Sequence, residues 1–199
     1  MKKVAVLVCL AVFFAVPAMA NPYVSATFGL VNLTDSDWSD GFDTGKFTFD
    51  NGFAFLGAIG GEFAGDFRGE LELGYRSNDI DRLHVDGFGS ASVGGDVTAV
   101  SLMANIIKDF PLGTGFTPFI GAGLGMANIE AEIRFAGLSD KDDDNVFAYQ
   151  FFAGGGIDLA PNVKLDLQYR YFATSDPKFD GLRSEYKSHN FLAGLRFGF

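Results

Sequence analysis

The sequence has 199 residues and a formal net charge of −10 at pH 7, which argues against nucleic acid as a partner because phosphate binding needs a basic face. It contains 26 glycines and 23 phenylalanines, yet after residue 20 no apolar stretch approaches the roughly 18 residues of a membrane-spanning helix. Cys9 is the only cysteine and lies in a segment that we expect to be removed, which leaves no disulfide, thiol nucleophile or thiolate metal site.

The first twenty residues have the layout of a secretory signal peptide. Lys2 and Lys3 supply the positive start, and Val4–Val16 is an apolar run of 13 residues, within the roughly 7–15 residues of a signal core. Ala18–Ala20 then gives an A-x-A cleavage site. We therefore predict a cleaved signal peptide at residues 1–20, export through the periplasm, and one mature domain at residues 21–199.

Alternation of apolar and polar residues, typical of a strand with unlike faces, returns eight times after residue 20. It is clearest from Phe67 to Arg76, where odd positions are apolar except Gly69 and even positions are charged except Gly74. Each segment approaches the roughly 9–11 residues with which a strand crosses a bilayer. In chain order the segments are Val24–Leu30, Phe53–Phe63, Phe67–Arg76, Val97–Ile107, Thr117–Ala127, Val146–Asp158, Val163–Tyr171 and Asn190–Phe199.

The connections between these segments alternate in length. Three are short, at residues 64–66, 109–116 and 159–162, and the four others are longer and polar. Short periplasmic turns and long outer loops are typical of outer membrane barrels. We therefore predict an all-β fold: a closed eight-stranded antiparallel up-and-down transmembrane β-barrel in the outer membrane of a Gram-negative bacterium. The long loops span residues 35–51, 77–96, 135–145 and 174–187.

A soluble β-sandwich would also show short alternating strands. Three features favour the barrel: the secretion signal, the terminal Phe199, and aromatic residues near strand ends, where interfacial girdles belong. The predicted girdle residues are Tyr23, Phe63, Phe67, Tyr75, Phe110, Phe119, Tyr171, Phe197 and Phe199.

The segment Thr98–Gly125 reads T-A-V-S-L-M-A-N-I-I-K-D-F, a short turn, then T-P-F-I-G-A-G-L-G, and the chain closes with L-A-G-L-R-F-G-F. These segments resemble the surface-antigen and opacity-protein group of porin-like eight-stranded outer membrane barrels. The resemblance implies that Phe199 belongs to the signal read by the barrel-assembly machinery, and that the protein is a surface antigen or adhesin. The residues that match the group's pattern are Asn105, Pro118, Gly121, Gly123 and Gly125.

Parity predicts what fills the barrel. The three glycines Gly121, Gly123 and Gly125 share one face of the fifth strand and should leave room in the lumen for long side chains. If the apolar face of each strand contacts lipid, nine charged side chains point into the lumen. They should form an interlocked ionic network, since charges removed from water must pair. They are Glu62, Arg68, Glu70, Glu72, Arg76, Lys164, Asp166, Arg170 and Arg196. The alternative is a narrow porin-like conduit, or a proton path along Glu70 and Glu72.

No constellation predicts catalysis. Ser188 and His189 are neighbours on a strand and should point to opposite faces, so they cannot act as nucleophile and base. A lipid A-modifying enzyme is therefore the least favoured function. Asp35–Gly41 departs from a calcium-binding loop because its glycine is at position seven instead of six, and we expect neither a metal nor another cofactor.

The long loops carry 16 acidic against 6 basic residues. We expect a surface-exposed structural or interaction protein, of the adhesin or surface-antigen type, that uses these acidic loops on a rigid frame. Its expected partners are outer membrane lipid and lipopolysaccharide, the barrel-assembly machinery, and a host or extracellular ligand. The candidate loop contacts are Trp38, Phe42, Phe47, Phe88 and Phe179.

Overall fold

A computed structural model describes most of the chain after residue 19. The described residues are 20–34, 36–39, 44–49, 51–85, 89–92, 94–135, 138–175, 178–179, 182–183 and 186–199, and side chains are described for 20–34, 51–79, 95–132, 143–175 and 186–199. Within these ranges no helix is long and apolar enough to cross a membrane. The predicted signal peptide lies outside them apart from Ala20, so its cleavage stays a prediction.

Eight long strands form the body of the molecule, and each contains one of the eight predicted segments or nearly all of it. We number them in chain order. They are β1 Ala20–Leu33, β2 Gly52–Ala64, β3 Phe67–Val85, β4 Gly94–Asp109, β5 Phe116–Phe135, β6 Leu138–Ala160, β7 Val163–Thr174 and β8 Lys187–Gly198.

Antiparallel ladders join each of these strands to the next, and the first strand to the last. In β1, Phe28 lies opposite Phe55 of β2 on one side and opposite Ala193 of β8 on the other. The eight strands therefore form a closed ring, which satisfies the strand edges without a partner protein. This confirms the predicted up-and-down barrel.

Burial alternates along the strands as the parity predicted. In β2, Phe53 and Phe55 are exposed while Ala54 and Leu56 are buried. Large apolar side chains cover the outer wall in the same way on every barrel strand, which is the surface that a bilayer solvates.

Two predicted girdle residues do not lie on that wall. Tyr23 and Phe119 are each only 4% exposed and point into the lumen. Their placement in the girdle was wrong because it considered only their position near a strand end. The outward residues of β1 and β5 are the even-numbered ones, such as Phe28 and Ile120, and Tyr23 and Phe119 have the opposite parity.

The two ends of the barrel differ. The turn end carries the start of β1, the end of β8 and the three short connections after β2, β4 and β6. In the first of these, Gly65 and Asp66 have φ values of 38° and 60°, the left-handed pair of a tight hairpin turn. The opposite end, called the loop end below, carries the long connections, as predicted.

At the loop end the strands run further than predicted. β3 continues to Val85, while β5 and β6 continue as a hairpin to the pair Phe135 and Leu138. Much of the predicted loops 77–96 and 135–145 is therefore strand. From residue 139 to residue 145 every residue is polar, so the alternation that indicates a strand is lost there.

Five short strands join this extension into an outer sheet. Residues 44–49 pair with the end of β3, residues 36–39 pair with 44–49, and 182–183 pair with 36–39. Residues 89–92 pair with the end of β3 as well, and 178–179 pair with 182–183. Three of the four predicted loops thus meet in one sheet.

Candidate functional site

The candidate site has two parts, the packed lumen and the loop end that it supports. Near the turn end, Arg68 is clamped by Asp109: Nε donates to Oδ2 at 2.7 Å and Nη2 donates to Oδ1 at 2.9 Å. Arg68 Nη1 also donates to Glu70 at 3.2 Å and to the hydroxyl of Tyr23 at 2.9 Å. Tyr23 in turn donates to Glu70 at 2.6 Å. This layer links β1, β3 and β4.

The middle layer is centred on Glu72. Arg170 Nη1 lies 2.6 Å from both carboxylate oxygens of Glu72. Gln150 and Asn105 donate to the same carboxylate at 3.2 and 3.3 Å, and Gln150 also donates to Asn105 at 2.7 Å. The guanidinium of Arg170 stacks over Phe152 at 4.4 Å. A buried ion pair needs such additional hydrogen bonds to offset its desolvation.

A second clamp lies beside these layers. Arg196 donates to both oxygens of Asp166, at 3.0 and 2.8 Å. Lys164, by contrast, pairs with Asp158 at the half-exposed rim of the turn end. Glu62 accepts a hydrogen bond from Asn21 at 2.6 Å, also at an exposed site. Glu62 and Lys164 therefore lie at the mouth of the barrel, outside the buried network.

Arg76 stands apart from the other arginines. Its guanidinium lies 4.0 Å over the ring of Phe172, and it donates to Ser101 at 3.0 Å and to Asn190 at 3.3 Å. Among the residues whose side chains are described, its Nη2 atom has no hydrogen-bond partner. Cation–π contact with a buried ring is worth about 2 kcal/mol or more, so Phe172 is a principal partner of this charge.

The loop-end half of the lumen contains an apolar cluster beside the buried Arg76, Ser101 and Asn190, which the sequence did not predict. The cluster extends from β1 round to the segment before β8. The members are Leu33, Val97, Ala99, Met103, Ala127, Ile129, Val146, Ala148, Phe172 and Tyr186.

Sequence reasoning missed several members of the polar network. Asp109, Asn105 and Gln150 point into the lumen and are buried, as Arg68 and Glu72 are. The alternation along their strands indicates inward positions for all three residues. Asp109, however, lies in a predicted turn, and Asn105 and Gln150 carry no charge that would indicate an ion pair.

Among the described side chains, little space separates the layers of the lumen near the turn end. A narrow cavity of about 20 Å³ remains between the Arg68 and Arg170 layers, and about 10–15 Å³ is enough for one water molecule. The glycines of β5 contribute to this packing, since a methyl group added at Gly121 would meet Phe152 and one at Gly123 would meet Asn105.

The remaining predicted residues divide into described and undescribed ones. Phe199 is 74% exposed at the turn end, and its backbone N donates to Pro22 O at 3.0 Å. Phe42 and Phe88 lie outside the described residues. For Trp38, Phe47 and Phe179 the backbone alone is described, in the strands of the outer sheet.

Ser188 and His189 point to opposite faces, as their parity predicted. Ser188 is buried and its Oγ accepts a hydrogen bond from Asn190 at 3.1 Å. His189 Nδ1 lies on the outer wall, 2.6 Å from the hydroxyl of Tyr169. In the part of the chain with described side chains, no three His, Cys, Asp or Glu residues are grouped to hold a metal ion.

Comparison with known proteins agrees with this architecture. The family model described as the outer membrane protein beta-barrel domain matches residues 5–199. A Rickettsia bellii protein named as a candidate adhesin is 27% identical over 175 residues, which cover 72% of this chain and 75% of that protein.

Two solved structures share the fold. Neisserial surface protein A has a TM-score of 0.56 and 20% identity, and covers 89% of this chain and 97% of its own. OprG from Pseudomonas aeruginosa has a TM-score of 0.57 and 14% identity, with coverage of 91% and 97%.

Proposed function

The chain belongs to the outer membrane protein beta-barrel domain family, and on that premise we propose that it is a surface interaction protein of the adhesin type. The barrel is its anchor in the outer membrane. The outer sheet and the hairpin of β5 and β6 are its contact surface. The observation that carries this proposal is the pairing of three long loops into one sheet at the loop end.

The packed lumen supports an anchoring role. The Arg68, Arg170 and Arg196 layers occupy the half near the turn end, and Arg76 with the apolar cluster occupies the other half. An eight-stranded barrel is just wide enough for side chains to fill. Such a barrel provides a rigid frame, and recognition on rigid frames is commonly carried by the connecting segments.

The outer sheet offers a surface that separate flexible loops would not. Ser36 pairs with Phe47, which pairs with Leu83 of β3. Backbone hydrogen bonds therefore order the segments in advance, which lowers the entropy lost when a partner binds. Trp38, Phe47 and Phe179 lie in this sheet and, with Phe42 and Phe88, remain our candidates for partner contact.

The charge of the long loops favours one kind of ligand. With 16 acidic and 6 basic residues, they attract a host or extracellular ligand with a basic surface, and this attraction weakens as salt is raised. The relative in Rickettsia bellii named as a candidate adhesin supports the same role. The role requires no catalytic step.

The route to the membrane completes the proposal. Residues 1–20 direct export through the periplasm and are removed there. The barrel-assembly machinery then recognises the last strand with Phe199 at its end. Once inserted, the wall of the barrel meets outer membrane lipid and lipopolysaccharide.

Replacement of the outer sheet tests this function. Residues 36–49 and 178–183 would be exchanged for glycine–serine segments of equal length, and the variant displayed on a non-adherent Gram-negative host. We expect binding to host cells and immobilised matrix proteins to fall to background. The control is the same exchange in the turn 111–115, which leaves the loop end unchanged.

Heat-modifiable migration of the folded barrel in SDS gels would show that both variants are inserted. Full adhesion by the folded outer-sheet variant would contradict the proposal, as would the absence of binding by the unmodified protein.

A further inference from the structure

Arg76 differs from the other buried arginines of the lumen in its electrostatic partners. Arg68, Arg170 and Arg196 each form an ion pair with a carboxylate, at distances between 2.6 and 2.8 Å. Arg76 is fully buried, and none of the side chains that the structure describes forms an ion pair with it. A charge that is removed from water without a counter-charge costs a large free energy.

Glu72 is the carboxylate closest to Arg76 on the same face of β3, four positions earlier in the chain. Both of its oxygens lie 2.6 Å from Arg170 Nη1, and they also accept hydrogen bonds from Gln150 and Asn105. Glu72 acts on Arg76 only through space. Its charge is thus balanced within the middle layer, and the charge of Arg76 calls for a second anion.

The guanidinium of Arg76 has a donor left for such an anion. Nε donates to Asn190 at 3.3 Å and Nη1 donates to Ser101 at 3.0 Å, and both acceptors are neutral oxygens. Nη2 has no hydrogen-bond partner among the described side chains. Because the group lies 4.0 Å over the ring of Phe172, its orientation is fixed, and Nη2 is held in one place.

Tyr186 supplies a second donor beside the same ring. It stands edge-on to Phe172 at 5.9 Å, and its carbonyl oxygen accepts a hydrogen bond from Thr174 N at 3.0 Å. Its hydroxyl is close enough to the Arg76 guanidinium for an electrostatic interaction, and within the described part of the chain it has no hydrogen-bond partner. A hydroxyl can donate to an anion. Two donors that lack an acceptor therefore lie next to Phe172.

The surroundings of Arg76 favour a small anion with a single charge. Ala54 and Ala99 lie directly opposite Arg76 in the ladders to β2 and β4, and both are fully buried. Their methyl groups are too short to cover the guanidinium, and they make its environment apolar. Attraction between opposite charges is strong in such an environment. The cost of removing an anion from water rises with its charge, which favours a monovalent ion over a phosphate.

We propose that the loop-end half of the lumen binds one monovalent anion of the halide class between Arg76 and Tyr186. Arg76 Nη2 and the Tyr186 hydroxyl donate to the anion, and its charge balances that of the guanidinium. The anion is taken up as the barrel closes, and it stabilises the part of the lumen that supports the loop end. This site goes beyond the adhesive function and does not depend on it, since neither residue lies in the outer sheet.

Bromide is the probe, because it is a halide that anomalous scattering can locate. The refolded protein would be unfolded with urea in a nonionic detergent while sodium gluconate is replaced stepwise by sodium bromide, so that the ionic strength stays constant. Gluconate is too large for the site. For one site that exists only in the folded state, each tenfold rise in bromide above its dissociation constant should raise the folding equilibrium constant about tenfold.

Crystals grown in bromide show where the ion binds. We expect an anomalous peak within hydrogen-bonding distance of both Arg76 Nη2 and the Tyr186 hydroxyl. Peaks confined to the outside of the barrel would mean an adventitious ion only. A water molecule at the site with no anomalous peak would mean that the two donors are simply hydrated. Either result would overturn the proposal.

Two variants and a control assign the effect of bromide on stability. Arg76→Met keeps a long side chain over Phe172 but removes the charge, so the stability of this variant should no longer depend on bromide. Tyr186→Phe keeps the ring, and it should need about tenfold more bromide because one hydrogen bond to a charged group is lost. The control combines Arg196→Gln with Asp166→Asn. It removes a buried arginine that already has a carboxylate, and it should respond to bromide as the wild type does.

The response of Arg76→Met decides whether bromide acts at this site. An equal response to bromide in the wild type and in folded Arg76→Met would show that bromide acts on the whole protein or on the detergent. Stability of the wild type that is independent of bromide would contradict the proposal directly. These measurements use purified protein and no host ligand, so failure of this site and failure of the adhesive function are distinguishable.

Discussion

Arg170 and Glu72 form an ion pair across the centre of the lumen, although 98 positions separate them in the chain. Their side chains are only 2% and 3% exposed. The pair joins β7 to β3, two strands that are not neighbours in the barrel. It can therefore form only when the ring is closed, and its disruption should affect the whole fold.

Glu72→Ala should destabilise the barrel by about 3–5 kcal/mol, because it leaves the charge of Arg170 buried and uncompensated. The double variant with Glu72→Met and Arg170→Met should regain most of that loss, since it removes both charges. The measurement is urea unfolding in detergent micelles, followed by far-UV circular dichroism.

Lys164→Met is the matched control for this prediction. Lys164 is 37% and Asp158 46% exposed at the side chain, and exposed pairs contribute less than about 1 kcal/mol. Equal losses from Glu72→Ala and Lys164→Met would show that the buried pair has no special role.

The barrel itself could be predicted from the sequence because parity and the alternation of connection lengths depend on neighbouring residues only. Arg68, Glu72 and Arg170 were assigned to the lumen for that reason. Parity does not give the rotation of one strand against another. The contacts of Asp109 with Arg68 and of Phe172 with Arg76 can be predicted only when the register of all eight strands is known.

The loop end was harder to predict for a different reason. Between residues 139 and 145, polar residues occupy both parities, because water solvates both faces of this part of the hairpin, whereas residues 128–135 still alternate. Period two then disappears although the ladder continues to Phe135 and Leu138. Pairing between residues 36–39 and 182–183 is also long-range, and no local pattern indicates it.

Gly123→Ala should destabilise the barrel by about 1–3 kcal/mol, the usual cost of overpacking. The added methyl group would meet the side chain of Asn105, whose oxygen accepts a hydrogen bond from Gln150 at 2.7 Å. Asn105 cannot move away without breaking the layer around Glu72. Thermal unfolding in micelles measures the loss.

Gly57→Ala controls for the backbone effect of the same exchange. No atom lies within 4 Å of a methyl group placed at Gly57, and alanine restricts the unfolded chain more than glycine does. We expect unchanged or slightly higher stability. If Gly57→Ala were as damaging as Gly123→Ala, the lumen packing would not be the cause.

The packed lumen also predicts electrical silence. Protein reconstituted in planar bilayers should give no discrete conductance steps, because the cavity between the layers of Arg68 and Arg170 has a volume of only about 20 Å³, about the room that one water needs. Reproducible steps from the folded wild-type protein would favour the narrow porin-like conduit instead. A Phe152→Ala variant that also stayed silent would show that more than one layer closes the lumen.

Phe199→Ser should slow assembly in cells without weakening the folded barrel. The ring of Phe199 is 74% exposed, and its structural contact at the terminus is the backbone hydrogen bond to Pro22, which serine keeps. We expect less of the variant in the outer membrane, measured by heat-modifiable migration, and unchanged urea unfolding of the purified barrel. This result would separate recognition by the assembly machinery from stability.

Phe110→Ser is the control, since Phe110 is also exposed at the turn end and its backbone N also donates a hydrogen bond, to Pro118 O at 2.8 Å. Equal assembly defects in the two variants would mean that any exposed ring at this end suffices, and that Phe199 is not a specific signal.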